Sequence, residues 1–309
     1  MRTLVTGGAG FIGSHLCERL LERGDEVIVY DDLSSGSLDN LAAIRDRITL
    51  IEGDVLDLRA HAEAFAGVKR VFHLAALISG HDSLYEPEAY ERVNVVGLLR
   101  LIEVVRGLDD ARVVFASSST VYGNAGDPIK RETQQAAPLS IYALTKYMGE
   151  HTLALYRELY GFDWVALRLF NVYGPRQSPD HPYANVTCKF AHAAATGGGV
   201  KLYGDGEQSR DFVHVDDVVT ALLTVSDGSR ERVYNVGTGE DTSIRRLLEA
   251  VKGLAEHDLP VEQHDPWPND IRQIRADVSR LEDEFGFRPR VSVEEGLAGT
   301  VEWFRSRGG

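Results

Sequence analysis

The 309-residue chain has few cysteines and a deficit of basic residues, and each shortage excludes a class of proteins. Its two cysteines, Cys17 and Cys188, are too few for a disulfide framework, so we expect a reducing, cytoplasmic environment. Lys and Arg together number 33 against 47 Asp and Glu, which gives a formal net charge of −14. Because an acidic surface repels polyanions, we expect neither nucleic acids nor anionic membranes as partners.

Long apolar segments are also absent. No apolar run approaches the roughly 18 residues of a membrane span, and the chain begins with a strand that leads into a glycine-rich turn, so we expect no signal peptide. The remaining composition is ordinary for a globular protein, with 43% hydrophobic and 26% charged residues. A chain of this length suits one large α/β domain, or a main domain with a smaller companion.

Strand and helix patterns alternate through the first half of the chain. Short apolar runs predict strands at residues 2–6, 26–30, 48–52, 70–74, 111–117 and 164–169, and helical periodicity predicts helices at 14–23, 88–106 and 140–159. In the second of these helices, the residues expected to be buried are Leu98, Leu101, Ile102 and Val105. Such alternation is typical of a doubly wound parallel α/β sheet with right-handed crossovers.

A glycine-rich turn, TGGAGFIG, joins the first strand to the first helix. Gly7 allows the tight turn, Gly10 lets the backbone approach a pyrophosphate, and Gly13 lets the helix pack against the strand. The pyrophosphate would lie at the helix N-terminus, where free N–H groups favour an anion. The turn therefore predicts a dinucleotide site in a Rossmann-type sheet.

An acidic pair at the end of the second strand specifies the dinucleotide. A carboxylate at Asp31 accepts the ribose 2′-hydroxyl and repels a 2′-phosphate. Asp32 beside it strengthens the same preference. The pair predicts NAD rather than NADP as the cofactor.

Glycine and proline punctuate the chain after Asn171, where the regular alternation ends. We expect residues 1–170, with return segments near 205–240, to form the NAD-binding domain. Residues 171–204 and 241–309 are expected to form a smaller, interleaved C-terminal part that binds the substrate.

Tyr142 and Lys146 lie four residues apart in a predicted helix, so their side chains share one face. A neighbouring ammonium favours a phenolate and is expected to lower the pKa of the Tyr142 phenol. Tyr142 is therefore a candidate general base near neutral pH. Such pairs are common on solvated helix faces, and this one is informative because it lies downstream of the glycine-rich turn.

The order of the motifs resembles the extended short-chain dehydrogenase/reductase family, in its branch of nucleotide-sugar epimerases and dehydratases. The resemblance covers nearly the whole chain and rests on TGGAGFIG at 6–13, GDV at 53–55, FHLAA at 72–76, Asn94, SSSTVYG at 117–123, Tyr142-x-x-x-Lys146, LRLFNVYGP at 167–175, RDFVH at 210–214 and YNVGTG at 234–239. Each piece is modest, but the ordered set is highly specific. It implies NAD, a nucleotide-diphosphate sugar as substrate, and no metal.

The resemblance implies roles for individual residues at the cofactor. Asp54 and Val55 are implied at the adenine, and Phe170 is implied near the nicotinamide. The full set implied at the cofactor is Gly7, Gly10, Phe11, Ile12, Gly13, Asp31, Asp32, Asp54, Val55, Leu74, Ala75, Ala76, Asn94, Tyr142, Lys146 and Phe170.

The implied mechanism is transient oxidation at C4 of the sugar. Tyr142 would take the proton of the 4-hydroxyl, Lys146 would hold the nicotinamide ribose, and Ser118 would share the 4-oxygen through a hydrogen bond. Counting back from the VYG that follows places Ser118, rather than either neighbouring serine, at the family's catalytic position.

The two residues after Ser118 separate the enzymes of this branch. Dehydratases carry an Asp-Glu pair there, and uronate decarboxylases typically carry a Glu at the second position, whereas this chain has Ser119 and Thr120. Neither can act as that acid or base. The 4-keto sugar is then expected to turn over and be reduced from its other face, which is 4-epimerisation of a UDP-hexose of the glucose/galactose type.

The same residues are also compatible with other functions. A UDP-uronate or UDP-N-acetylhexosamine 4-epimerase would use the same machinery. Ser119 and Thr120 disfavour a dehydratase, and Asp31 disfavours an NADPH-dependent reductase. A catalytically silent family member would be expected to lack Tyr142 or Lys146, and both are present. Family members usually dimerise through the helix that carries these two residues and the helix before it, which form a four-helix bundle with their copies, so a homodimer is expected.

The resemblance also implies which residues contact the substrate. Asn171 and Asn185 match positions at the sugar diphosphate, and Arg210 matches the family's phosphate ligand. Tyr203 matches an aromatic residue beside the nucleotide base, while Ser118 faces the sugar.

Trp267 departs from the family pattern, which usually places a diphosphate-binding arginine there. A tryptophan cannot neutralise phosphate charge. We expect Arg272 or Arg275 to reach the diphosphate instead, or the affinity for the UDP-sugar to be weakened. Ile274 falls where bulk limits the room for a C2 substituent, which favours an unsubstituted hexose.

Overall fold

The computed structural model of the protein describes residues 1–124, 126–179, 184–266 and 271–307. The strands are β1 (Arg2–Thr6), β2 (Glu26–Asp31), β3 (Ile48–Glu52), β4 (Arg70–His73), β5 (Arg112–Ser118), β6 (Ile129–Lys130), β7 (Asp163–Leu169), β8 (Asn171–Tyr173), β9 (Val200–Tyr203), β10 (Ser209–Arg210), β11 (Phe212–His214), β12 (Val233–Val236), β13 (Thr242–Ser243), β14 (Val261–His264) and β15 (Gln273–Ala276). The helices are α1 (Phe11–Glu22), α2 (Pro87–Tyr90), α3 (Gly97–Val105), α4 (Ile141–Tyr160), α5 (Val186–Thr196), α6 (Val215–Ser226), α7 (Ile244–Leu254), α8 (Ser279–Phe285) and α9 (Val293–Arg307).

The main sheet has seven strands in the order β12-β7-β5-β4-β1-β2-β3. The recorded pairings among β1 to β5 and β7 are parallel. Strand order reverses at β1, because β2 and β3 lie on one side of it and β4 and β5 on the other. This arrangement confirms the predicted doubly wound Rossmann fold. It places the carboxyl ends of β1 and β4 side by side, where open α/β sheets bind ligands.

Helix α3 contributes an apolar face to the core of this sheet. Leu98, Leu101, Ile102 and Val105 are fully buried, as predicted, and cluster with strand residues such as Val113. Complete burial of a large aliphatic side chain stabilises a fold by roughly 1.5–3 kcal/mol. The periodic apolar residues therefore hold the helix against the sheet.

The helix predicted at 88–106 is interrupted. A six-residue π-helical segment, Glu91–Val96, separates α2 from α3. A π-turn inserts an extra residue into the helical repeat and is often found at functional sites. The insertion lets Asn94 point into the protein, where it is 4% exposed.

The chain divides into two compact units. The first unit comprises Met1–Ala125, Gln135–Leu169 and Val219–Tyr234, and the second comprises Gly126–Gln134, Phe170–Val218 and Asn235–Gly309. The boundaries of these units differ from the expected domain boundaries in three places. The segment that returns to the first unit is 219–234 rather than 205–240, residues 126–134 join the second unit, and Phe170 also belongs to the second unit.

The second difference has a physical cause in the pairing of β6. This strand pairs in parallel with β15, matching Ile129 with Arg275 and Lys130 with Ala276. A two-residue strand has no periodicity that sequence reasoning can detect. Its membership in the second unit is decided by a partner strand almost 150 residues away in sequence.

The second unit includes a small four-stranded sheet and a group of three packed helices. The sheet has the order β13-β10-β15-β6. Helices α5, α7 and α9 share a core that includes Phe190, Leu247, Leu297 and Val301. Among the described residues, none of the helices combines the length and apolarity needed to cross a membrane.

Candidate active site

The glycine-rich turn between β1 and α1 has the shape that a dinucleotide phosphate requires. Gly7 has a φ of +75°, and a Cβ there would lie 2.7 Å from the backbone nitrogen of Ala75. A Cβ on Gly13 would lie 2.1 Å from the carbonyl oxygen of Gly7. Gly10 is the N-cap residue of α1 and makes no side-chain capping bond. The first turn of α1, which contains Phe11 and Ile12, can therefore present N–H groups to an anion.

Asp31 ends β2 and is joined directly to this turn. Its carboxylate accepts hydrogen bonds from the backbone nitrogens of Ala9 at 2.8 Å and Leu33 at 2.9 Å. Burial raises the pKa of Asp31, and these two hydrogen bonds oppose the rise. A carboxylate has about four acceptor positions, so two remain for hydroxyl donors. The neighbouring Asp32 accepts from both N–H and O–H of Ser34. The acid and the turn fit an NAD ribose and pyrophosphate.

The residues predicted at the adenine, and the cofactor residues 74–76 after β4, are positioned by contacts within the protein. Asp54 caps a 3₁₀ helix by accepting from Leu56 N at 2.9 Å, and the following Val55 is buried. Leu74 and Ala75 both donate their backbone N–H to the carbonyl of Thr6 at 3.1 Å. These bonds hold the segment that begins Leu74-Ala75-Ala76 against the end of β1.

Asn94 anchors the same segment from the π-helical turn. Its Oδ1 accepts from Leu77 N at 2.8 Å, and its Nδ2 donates to Leu77 O and to Thr145 Oγ1, each at 3.0 Å. The side chain thus ties the loop after β4 to helix α4. Its predicted role at the cofactor remains a prediction, and its observed contacts are to the protein.

Tyr142 and Lys146 lie together in the buried first half of α4. Ser140 caps this helix by accepting from Ala143 N at 3.1 Å, which sets where the helical spacing begins. Tyr142 is 9% exposed and Lys146 is 4% exposed. The Lys146 ammonium donates to the carbonyl of Ala116 at 2.8 Å and lies 6.0 Å from the centre of the Tyr142 ring.

The electrostatics of this pair differ from the expectation. Burial raises the pKa of Tyr142, and hydrogen bonding with Ser118 opposes the rise. Burial also lowers the pKa of Lys146 to about 7. The predicted lowering of the Tyr142 pKa by Lys146 was wrong for the protein alone. The sequence pattern indicated the proximity of the two groups, but it carried no information on the desolvation that outweighs the hydrogen bond with Ser118.

Ser118 is the last residue of β5, and this position lets its side chain hydrogen-bond with Tyr142. It is 7% exposed, and its Oγ accepts from Thr120 N at 3.2 Å and from Thr120 Oγ1 at 2.9 Å. Ser118, Tyr142 and Lys146 all belong to the first compact unit. Lys146 Nζ lies 6.0 Å from the centre of the Tyr142 ring, and Ser118 hydrogen-bonds with Tyr142, so these three side chains are neighbours.

His73 is a buried neighbour that sequence reasoning did not single out. Its Nδ1 lies 2.7 Å from Thr6 Oγ1, and its ring stacks on Phe115 with centroids 6.0 Å apart. Burial lowers the pKa of His73 to about 3, and the positive charge of Lys146 acts in the same direction. The imidazole is therefore neutral at physiological pH, which avoids a second cation beside Lys146.

The sequence analysis also did not identify a buried ion pair between Glu150 and Arg168. Glu150 accepts from Arg168 Nε at 2.9 Å and Nη2 at 2.7 Å, and from Ser117 Oγ at 2.5 Å. The pair connects α4 to β7 and to the residue before Ser118. Glu150 continues the four-residue spacing of Tyr142 and Lys146, and that repeat was the available signal.

In the second unit, Asp211 organises the segment that follows Arg210. Its carboxylate accepts from the backbone nitrogens of Thr238, Gly239 and Ala276 at 2.7–3.0 Å. Its carbonyl accepts from the backbone and side-chain nitrogens of Asn171. Arg210 and Asn171, both predicted at the substrate, are thus held on one hydrogen-bonded framework.

Asn185 and Tyr203, also predicted at the substrate, each make different contacts within the protein. Asn185 caps α5 by accepting from Cys188 N at 2.9 Å, and its Nδ2 donates to Val172 O at 2.7 Å. Tyr203 stacks on His264 with ring centroids 5.0 Å apart. Phe170, predicted near the nicotinamide, is buried and belongs to the second unit.

Arg272 is an exposed side chain in an ion pair. Its Nη1 lies 2.8 Å and 3.0 Å from the two carboxylate oxygens of Asp205. Arg275 lies 4.0 Å from Asp241, and Ile274 between the two arginines is buried. Trp267, where the family pattern is broken, lies outside the described residues.

Comparisons with known proteins agree with this geometry. The model of the NAD dependent epimerase/dehydratase family matches residues 3–237. A UDP-glucose 4-epimerase of Mycolicibacterium smegmatis is 42% identical over 314 residues, covering 99% of each chain.

Two solved structures share the fold over nearly the whole length. The UDP-glucose 4-epimerase of Thermus thermophilus in complex with NAD has a TM-score of 0.90 and 39% identity, covering 99% of each chain. The UDP-N-acetylglucosamine 4-epimerase of Methanobrevibacter ruminantium in complex with UDP-N-acetylmuramic acid has a TM-score of 0.94 and 39% identity, covering 99% of this chain and 98% of that one. The chain belongs to the NAD dependent epimerase/dehydratase family, which confirms the family resemblance.

Proposed function

We propose that the protein is an NAD-dependent nucleotide-sugar 4-epimerase that interconverts UDP-glucose and UDP-galactose. The observation that carries the proposal is the convergence of Ser118, Tyr142 and Lys146, with hydroxyl residues rather than carboxylates at positions 119 and 120. The full-length similarity to UDP-glucose 4-epimerases supports the same substrate class.

The glycine turn and the acids after β2 are proposed to hold the cofactor. The first turn of α1 would bind the pyrophosphate, and Asp31 and Asp32 would accept ribose hydroxyls. When bound, NAD supplies reversible hydride acceptance, so a sugar carbinol can be oxidised and re-reduced at one carbon. Lys146, which is buried beside Tyr142, is proposed to donate to the nicotinamide ribose.

Tyr142 is proposed as the base and acid for the sugar 4-hydroxyl. It takes the hydroxyl proton as C4 becomes a ketone, and returns it when the ketone is reduced from the opposite face. No net oxidant or reductant is consumed. Because burial raises the pKa of Tyr142, the resting side chain is a phenol, and hydrogen bonding from Ser118 favours its ionisation.

Epimerisation is favoured over dehydration by the groups at the strand end. Elimination needs a carboxylic acid and a carboxylate beside C5 and C6, in the two positions after the catalytic residue. Ser119 is buried, and Thr120 is hydrogen-bonded to Ser118. Neither hydroxyl can remove a carbon-bound proton near neutral pH.

The second unit is proposed to bind the UDP moiety. Arg210 would pair with the diphosphate, with Asn171 and Asn185 beside it, and Tyr203 would stack on the base. Arg272 is proposed to compensate for the missing arginine at Trp267, for which it would have to exchange Asp205 for phosphate.

A panel of UDP-, dTDP-, GDP- and CDP-sugars tests the proposed function. The purified protein should convert UDP-glucose and UDP-galactose into a common equilibrium mixture without added cofactor. Formation of a 4-keto-6-deoxy sugar would instead indicate a dehydratase. Stoichiometric consumption of added reduced nicotinamide would indicate a reductase.

A second candidate is epimerisation of UDP-N-acetylhexosamine. The structural similarity to the Methanobrevibacter enzyme favours it, whereas the buried branched side chain of Ile274 favours an unsubstituted hexose. UDP-uronate is the further alternative. The ratio of kcat/KM for UDP-galactose, UDP-N-acetylgalactosamine and UDP-galacturonate separates the three.

We also propose a cytoplasmic homodimer that associates through α4. Leu144, Met148, Leu155 and Leu159 lie on one stripe of this helix, and each is at least 36% exposed. Light scattering should give twice the 34.1 kDa chain mass. Leu155→Glu should shift the mass to that of one chain, and a mass that is unchanged would remove α4 from the interface.

A further inference from the structure

Resting on the proposed epimerase function, we propose that Thr120 is a positioning residue that holds the Ser118 hydroxyl as a hydrogen-bond donor towards Tyr142. Sequence comparison treats Thr120 only as the place where a dehydratase would carry a catalytic acid. The structure gives it a contact of its own. Both residues and Tyr142 belong to the same compact unit.

The contact arises where β5 ends and the chain turns into a short 3₁₀ helix, Ser119–Tyr122. Ser118 is the N-cap of this turn, so its Oγ accepts the backbone N–H of Thr120 at 3.2 Å. The Thr120 hydroxyl donates to the same oxygen at 2.9 Å. The capping bond is ordinary, but the second bond is specific to a hydroxyl at position 120.

Together the two bonds fill the acceptor capacity of Ser118. A serine hydroxyl has one proton and two acceptor positions. With both acceptor positions occupied by Thr120, the Ser118 proton points away from the turn. A hydrogen bond between the Ser118 and Tyr142 side chains acts to lower the pKa of Tyr142. Ser118 therefore stabilises the ionised phenol as a donor.

The two Thr120 contacts to Ser118 Oγ disfavour a relay in which Ser118 passes the sugar proton to Tyr142. In a relay, Ser118 would accept the proton of the 4-hydroxyl while giving its own proton to Tyr142. Thr120 already occupies the positions that would accept it. The 4-hydroxyl proton therefore passes directly to the Tyr142 oxygen, and Ser118 keeps its own proton throughout.

Thr120 offers a clean test because its side chain is exposed. Thr120→Val keeps the β-branched shape and the capping N–H, and removes only the hydroxyl donor. Thr120→Ser keeps the donor and serves as the matched control. Thr120→Ala removes the same donor with a different shape, so it replaces the valine variant if that variant does not fold.

The first measurement is the pH dependence of kcat and KM for UDP-galactose with the purified holoenzymes. Thr120→Val should lower kcat at neutral pH about tenfold and move the acidic limb of the profile about one pH unit higher, because the phenolate loses an oriented donor. KM should be unchanged. Thr120→Ser should restore both kcat and the position of the limb.

The second measurement does not depend on turnover. In protein labelled with ¹³Cζ-tyrosine, the Tyr142 signal is identified by its loss in Tyr142→Phe. At a fixed alkaline pH it should lie closer to the phenol position in Thr120→Val than in the wild type or Thr120→Ser.

The outcomes separate this inference from the proposed function. An active wild type whose pH profile and Tyr142 signal are both unchanged in Thr120→Val overturns the role of Thr120. A wild type that epimerises no UDP-sugar, but whose Tyr142 signal still moves in Thr120→Val, overturns the proposed function and leaves the role of Thr120 supported.

Discussion

The residues proposed for chemistry and the residues proposed for binding the diphosphate lie in opposite physical environments. Ser118, Tyr142 and Lys146 in the first unit are at most 9% exposed. The side chains of Arg272 and its partner Asp205 in the second unit are 65% and 53% exposed. A proton-transfer group needs a desolvated setting that shifts its pKa, whereas a cation that captures a charged ligand must be reachable from solvent.

The difference predicts how mutations in each region should act. In the buried region, removal of one polar atom changes the energy of charge formation and appears in kcat. In the exposed region, ion pairs are screened by water, and exposed pairs are typically worth only about 0.2–1 kcal/mol. Four predictions test this contrast, from the largest expected effect to the smallest.

Tyr142→Phe should have the largest effect. It removes only the proposed base oxygen, so kcat should fall about a thousandfold while the fold and the bound NAD are retained. Activity, circular dichroism and the nicotinamide content of the purified variant check this. Tyr147→Phe on the same helix is the matched control and should stay close to wild type. Near-normal turnover in Tyr142→Phe would refute the proposed chemistry.

Arg210→Met should act on binding rather than on chemistry. Loss of a charge-assisted hydrogen bond to phosphate should weaken UDP binding about 10- to 100-fold, with a smaller change in kcat. Titration calorimetry with UDP measures this directly. Arg246→Met, which removes an exposed arginine paired with Glu294, is the control. Equal affinities for the two variants would remove Arg210 from the phosphate site.

Lys146→Met should reveal the cost of burying a cation. The folded-state pKa of Lys146 is lowered to about 7, below its ordinary value of 10.5. The wild type therefore gains stability as pH rises from about 7 towards 10.5, and the penalty is fully present below 7.

Relative to wild type, the NAD-free Lys146→Met protein should be stabilised more at pH 6.5 than at pH 9, by up to about 2 kcal/mol. Urea unfolding at the two pH values measures the difference. Lys201→Met, an exposed lysine on β9, controls for the loss of charge. A stability difference that is the same at both pH values would contradict the burial of a titrating ammonium.

Arg272→Ala should have the smallest effect. Because Arg272 must leave Asp205 to reach a phosphate, its loss should weaken UDP binding only about threefold. Calorimetry with UDP, alongside Asp205→Asn, measures it. Asp205→Asn frees Arg272 and should strengthen binding slightly. If UDP affinity is unchanged in both variants, Arg272 does not replace the diphosphate-binding arginine that the family has at the position of Trp267.

The sequence was most informative where the chemistry is local. Gly7 is required by its positive φ and Gly13 by its close approach to the carbonyl oxygen of Gly7, and Asp31 is the last residue of β2. The spacing of Tyr142 and Lys146 is a property of any helix. These features could be read from short motifs because their geometry is set by neighbours in the chain.

Features that depend on distant parts of the chain were not predicted. The Glu150–Arg168 pair joins residues on α4 and β7, and β6 joins the second unit only through β15. The hydrogen bond from Thr120 to Ser118 is local, but its proposed effect on catalysis depends on the position of Tyr142. The sign of the Tyr142 pKa shift was missed for the same reason.

By itself, the sequence determined the fold class, the cofactor turn and the three side chains proposed for catalysis, because backbone periodicity and turn geometry are encoded within short segments. Only the tertiary structure decided the direction of the Tyr142 pKa shift, the lowered pKa of Lys146 and the contact of Thr120 with Ser118. Each of these depends on how completely water is excluded and on which groups face one another. Those quantities belong to the packed chain as a whole.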